Sequence, residues 1–315
     1  MRCCGRQGAF RLFTLLAACF SAPSQAHREA AASELSLAPH ALWRTWNDDW
    51  WLWFLMIAVA WLYALGVSRM WHEAGTGRGI GRSRAWAFAG GWVALFVALL
   101  SPLDTLGGAL FSAHMVQHEV MMLLAAPLLA VARPLGAFVW GLPPGWRRPA
   151  WVAVRVAGLQ ATVRGLSQPL VAWAVHAAAL WIWHAPALFE RAVRSEPVHI
   201  AQHVTFFVSA LLFWWAILRP GLRRETFGLA TLYILTTAMH TSLLGALLTF
   251  APYVWYPVYH ESAPAWGLTA VEDQQLGGLI MWVPAGFVYL LIALLLFAAW
   301  LGALGPSDAR IRSLS

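Results

Sequence analysis

Residues 111–132 read FSAHMVQHEVMMLLAAPLLAVA, an apolar stretch broken near its start by two histidines, a glutamine and a glutamate. A transmembrane helix takes about 20 predominantly apolar residues, so this stretch is long enough to span a bilayer. Polar groups inside a span are costly and mark function, which singles out His114, His118 and Glu119 at once. Further apolar segments occur at 50–68, 86–102, 169–187, 199–218, 227–250 and 277–301. The composition agrees, since 60% of the 315 residues are hydrophobic and only 11% are charged, against roughly 45–50% and 25% in a soluble domain. Seven spans would occupy about 140 residues and leave about 175 for loops and ends, which excludes a soluble domain of any size. The expected fold is all-α, a polytopic membrane helix bundle of about seven transmembrane helices over residues 50–301, with no domain boundary inside it.

The 21 basic residues are all arginine, and with 14 acidic residues they give a net charge of +7. In a polytopic chain such an excess reports topology, because basic residues concentrate at cytoplasmic loops, and it gives no reason to invoke nucleic acid. Loops 69–85, 133–168 and 219–226 and the tail 302–315 carry 14 arginines, whereas segments 27–49, 103–110, 188–198 and 251–276 carry 4, with 10 of the 14 acidic residues. The first set is expected to be cytoplasmic and the second extracytoplasmic. Loop 133–168, in which Trp140, Trp146 and Trp151 alternate with arginines and Pro143-Pro144, is expected to lie along the membrane interface.

Arg2, Arg6 and Arg11 precede a short apolar run, Leu12 to Phe20, followed by small residues at Ser24-Gln25-Ala26. This reads as a signal peptide over residues 1–26. Lipidation at Cys19 and an uncleaved anchor remain alternatives. Removal of that leader would place segment 27–49 outside the cytoplasm and leave tail 302–315 inside, in a multi-pass plasma (inner) membrane protein surrounded by lipid bilayer. The three cysteines all lie in the first nineteen residues, so the remainder offers no disulfide, thiolate zinc site or cysteine nucleophile.

Eight of the 11 histidines are relevant to a site: His114, His118, His176, His184, His199, His203, His240 and His260. Two pairs share the spacing HxxQH, His114 with His118 and His199 with His203. Residues i and i+4 lie on one helix face about a turn apart, so each pair can present two imidazoles to one ion. On the topology above, both pairs open a span running in the same direction, and His184 ends the span between them at a similar depth. His176 and His240 lie deeper, and His260 lies in the last extracytoplasmic loop. Met115, Met121 and Met122 sit around His118, and Met239 adjoins His240, so thioethers mix with imidazoles in the absence of thiolates. That mixture suits copper, particularly Cu(I). Glu119 and Asp273 could add a carboxylate. Haem b is the alternative cofactor, because His118 and His203 on facing helices could supply two axial imidazoles. His118-Glu119 begins like the HExxH zinc-protease helix but has Met122 where the second histidine belongs.

Ser101-Pro102-Leu103-Asp104, the first HxxQH, Ala132-Arg133-Pro134, Trp181-Ile182-Trp183-His184-Ala185-Pro186, the second HxxQH, and Asp273-Gln274-Gln275-Leu276-Gly277-Gly278 with Met281-Trp282 together resemble the polytopic CtaG family of cytochrome c oxidase assembly factors. The resemblance runs over about residues 45–300 and rests on the ordered series, since a single HxxQH is not specific. It implies a non-enzymatic seven-span protein that supplies copper to the catalytic subunit of a haem–copper oxidase, with a periplasmic copper donor as a further partner. It also brings copper import as a neighbouring function. The residues it carries over are His114, His118, His184, His199, His203 and Asp273, then His176 and His240, and Met115 and Met122 join them as candidate soft ligands. The exported segment before residue 45 departs from the family core.

Overall fold

The computed structural model describes residue 42 and residues 44–155, 157–218 and 227–304, which are helical with no β-strand among them. The expected leader 1–26, most of segment 27–49, loop 219–226 and the last residues of the tail lie outside the described residues. In chain order the helices are α1 (Trp50–Ala74), α2 (Arg82–Leu100), the short α3 (Pro102–Ala109), α4 (Phe111–Ala132), α5 (Leu135–Gly141), α6 (Pro144–Val154), α7 (Ala157–Leu166), α8 (Pro169–Trp183), α9 (Pro186–Arg194), α10 (Glu196–Leu218), α11 (Phe227–Thr249) and α12 (Ala270–Leu304). Helices α1, α2, α4, α10, α11 and α12 are each long and apolar enough to cross a membrane.

The seventh expected span, 169–187, is not one continuous membrane-crossing helix. Helix α8 has 15 residues, about 22 Å at 1.5 Å per residue, short of a hydrocarbon core of about 30 Å. It follows residues Gln160–Leu166 across a 74° bend, and the two pieces together pass as one span. The helix ends at Trp183 rather than 187 because Ala185 precedes Pro186 and takes the extended conformation that a following proline imposes (φ −61°, ψ 126°). The last span departs in the other direction and begins at Ala270 rather than 277. Thr269 and Glu272 form a reciprocal capping box: the Thr269 N–H and hydroxyl donate to Glu272 Oε2 at 2.8 Å, and the Glu272 N–H donates to Thr269 Oγ1 at 3.2 Å. Loop 133–168 is three short helices, in which Arg147 lies over Trp140 and Arg155 over Trp151.

Helix α4 is the centre of the bundle, in contact with α2, α3, α10 and α12. Its middle, Val120–Ala125, is a π-helical turn, and Pro127 accounts for it. Ala126 N–H reaches back to Met121 O, and the next donor in that i→i−5 pattern would be Pro127, which has no N–H. The Met122 carbonyl so released accepts instead from Trp214 Nε1 at 2.8 Å. At the foot of α4, Arg133 adopts a left-handed conformation (φ 51°) that ends the helix, and its guanidinium donates to Leu218 O, the last carbonyl of α10, at 2.9 Å. Gly277 and Gly278 let α12 enter between α4 and α11. A side chain at Gly277 would meet the Phe111 ring, and a Cβ at Gly278 would lie 2.6 Å from Thr249 N and 2.7 Å from Gly245 O, the close approach that small residues permit in membrane bundles.

Candidate metal centre

Both HxxQH pairs and His184 meet at the end of the bundle where α4 and α10 begin and α8 ends. His114, His199 and His203 place one ring nitrogen each within 4.8 Å of one another. His118 completes the group, its ring 4.4 Å from that of His114 and 5.2 Å from that of His203 between centroids. His184 lies next to these rings, sharing Phe189 with His114 and Phe206 with His118. His114, His118, His184 and His203 are buried, whereas His199 is half-buried and marks the accessible side.

The hydrogen bonds decide which nitrogens are available. His114 Nδ1 lies 3.3 Å from Gly107 O and His184 Nδ1 2.7 Å from Leu180 O. A carbonyl oxygen can only accept, so each Nδ1 carries the proton and each Nε2 carries the lone pair. Both of these Nε2 atoms are buried and have no hydrogen-bond partner, as do both ring nitrogens of His118. Buried polar atoms are normally satisfied, and an imidazole whose far nitrogen is held by a backbone carbonyl is the arrangement found in metal sites. The imidazoles therefore fit a cation that would occupy the space among them.

Gln117 and Asp273 hold this geometry without joining it. Gln117 Nε2 donates to Ala98 O at 2.7 Å and to Asp104 Oδ1 at 2.8 Å, and Asp104 Oδ2 accepts from Asn47 Nδ2 at 2.8 Å. The first glutamine of the HxxQH pairs thus ties α4 to α2 and α3. Asp273 is likewise not brought to the imidazoles. Its carboxylate accepts from Phe111 N at 2.6 Å, Ser112 N at 3.0 Å and Ser112 Oγ at 2.5 Å, and so caps the first turn of α4 from α12.

Met115 is buried in an apolar cluster with Phe111, Phe189, Leu244 and Tyr256. Met122, Glu119 and His176 line a separate small cavity one turn deeper. His240 stands 5.6 Å from Trp173 in an edge-to-face contact, and Met239 is exposed on the outside of the bundle. His260 is exposed and outside the group.

A lid missed in the sequence closes the site. Tyr259 OH donates to Gly107 O at 3.1 Å, the carbonyl that also holds His114, and Tyr256 OH donates to His184 O at 2.8 Å. Phe189 fills the space between, 5.1 Å from His114 and 4.4 Å from Tyr256. Loop 251–269 carries the two tyrosines, and no spacing signal linked them to histidines more than 50 positions away.

Fold and site together define a polytopic helical membrane protein with a multi-helix imidazole cluster at one end of its bundle. The family model for the cytochrome c oxidase caa3 assembly factor (Caa3_CtaG) matches residues 61–303, and the chain belongs to that family. Uncharacterized proteins of Mycobacterium bovis and Mycobacterium tuberculosis are each 28% identical to it over 261 residues, covering 80% of this chain and 38% of theirs. One of Mycobacterium leprae is 28% identical over 249 residues, covering 76% of this chain and 37% of its own. The chain thus spans less than two fifths of the length of these relatives. No solved structure matches it.

Proposed function

We propose that the chain holds Cu(I) among His114, His199 and His203, with His118 and His184 alongside, and passes it to the catalytic subunit of cytochrome c oxidase during assembly. The observation that carries this reading is the convergence of three ring nitrogens within 4.8 Å, next to buried imidazoles whose free nitrogens have no other partner. Membership of an oxidase assembly family supports cytochrome c oxidase as the acceptor. A monovalent ion suits neutral ligands in a low-dielectric bundle, because the penalty of an uncompensated charge rises steeply with its size. A haem fits less well. The rings of His114, His118, His199 and His203 are already in mutual contact, with centroids 4.1 to 5.9 Å apart, and leave no flat slot between two axial imidazoles.

The arginine distribution supports an extracytoplasmic position for the histidine end, where a periplasmic copper donor could load it through the half-buried His199. The protein performs no covalent chemistry in this scheme. Imidazoles without thiolates bind weakly enough to release the ion to a better-built site.

Deletion of the gene should leave the oxidase polypeptides in the membrane but short of copper and poorly active, with excess copper restoring part of the activity. The double substitution His114→Ala and His118→Ala should reproduce the deletion while the protein stays inserted and abundant. Normal oxidase activity of that variant at limiting copper would refute copper delivery through this site.

A further inference from the structure

The cavity beneath the triad contains a carboxylate, an imidazole and a thioether that the triad does not use. It is enclosed by Glu119, Met122, His176, Thr241, Met281 and Tyr289, with neighbouring aliphatic side chains, and has room for about one water-sized occupant. Glu119 Oε2 is shielded from solvent and has no hydrogen-bond partner. The ionised form of such a carboxyl is costly within a membrane bundle, and either a proton or a bound cation relieves that cost.

His176 is set up to provide a ligand beside it. Its Nδ1 lies 3.0 Å from Ser209 Oγ, and that hydroxyl already donates its one proton to Phe206 O at 3.1 Å. Ser209 must therefore accept from Nδ1–H, which leaves the lone pair of His176 on Nε2. Met122 is buried, on the π-turn that Glu119 leads into.

We propose that Glu119, His176 and Met122 form a second Cu(I) position, one turn deeper than the triad along α4. This rests on the reading of the triad as a copper site. The charge balance favours a monovalent ion, since Cu(I) with one carboxylate, one neutral imidazole and one thioether is neutral overall, whereas a divalent ion would leave a net positive charge inside the bundle. The mixed oxygen, nitrogen and sulfur set also distinguishes this position from the all-nitrogen triad. With both positions filled the chain would hold two ions.

The test is the Cu(I) stoichiometry of the full chain in detergent, measured by competition with a chromophoric Cu(I) chelator, together with copper X-ray absorption to detect a sulfur scatterer. The expected result is two ions in the wild type, one in Glu119→Gln and one in Met122→Leu, with the sulfur signal lost in Met122→Leu. Both substitutions nearly conserve volume, and the second serves if the first does not fold. Two ions retained by the folded variants would overturn the placement. One ion in the wild type would overturn the second position and leave the triad reading standing, and no bound copper in the wild type would overturn the reading on which it rests.

Discussion

Replacement of Asp273 tests whether one helix sets the geometry of the site on another. Asp273 accepts three hydrogen bonds from Phe111 and Ser112, at 2.5 to 3.0 Å, and is fully buried. Asp273→Ala leaves two backbone N–H groups and a hydroxyl without their acceptor, at about 1–3 kcal/mol for each buried orphan, and removes a negative charge from a helix N-terminus, worth about 0.3–2 kcal/mol. Relaxation and water entry offset part of this, so a net destabilisation of about 3–4 kcal/mol is expected. Asp273→Asn keeps an acceptor oxygen and should cost about 1–2 kcal/mol. Ser112→Ala removes one donor and should cost about 1 kcal/mol.

His114 lies in the turn that Asp273 holds, so Cu(I) affinity should also fall. A group that positions a ligand is worth about 10–100-fold in affinity, and Asp273→Ala should lie in that range while Ser112→Ala changes affinity by less than about threefold. Unfolding in detergent gives the stabilities, and chelator competition gives the affinities. Asp273→Ala with wild-type stability and affinity would refute the positioning argument. Loss of copper from Asp273→Asn at unchanged stability would show instead that the carboxylate is itself a ligand.

Other outcomes follow from the same geometry. His114→Ala and His203→Ala should each lower Cu(I) affinity about 10-fold or more in chelator competition, because losing a ligand weakens binding at least as much as losing its supporting partner, while the exposed His260→Ala should leave it unchanged. Trp214→Phe should destabilise the chain by about 1–3 kcal/mol in detergent unfolding, since it strands the Met122 carbonyl freed by Pro127. Reporters fused after Arg82 and Arg224 should read cytoplasmic, and those after Glu196 and His260 periplasmic; a periplasmic signal after Arg82 would put the histidine end on the cytoplasmic side.

The amino-acid sequence by itself determined the class of fold and the faces that carry the chemistry. Span lengths follow from hydropathy, and the i, i+4 spacing puts His114 with His118 and His199 with His203 on common faces whatever the helices pack against. The capping box at Thr269 and Glu272 was also legible, though the hydropathy of 277–301 drew the boundary past it. Only the tertiary structure decided which polar groups meet. Asp273, Gln117 and Met115 belong to the same ordered series of motifs as the histidines, yet Asp273 caps α4, Gln117 joins the Asp104 network and Met115 packs in the apolar cluster of the aromatic lid. Glu119, Met122 and His176 gather at a separate depth. The reason is that hydropathy and helical period are properties of one segment, whereas contact between segments depends on how each helix is rotated and how closely it approaches its neighbour. Here those are set by Gly277 and Gly278 at the α12 crossing and by the π-turn that Pro127 imposes on α4, with Trp214 of α10 taking the carbonyl it releases.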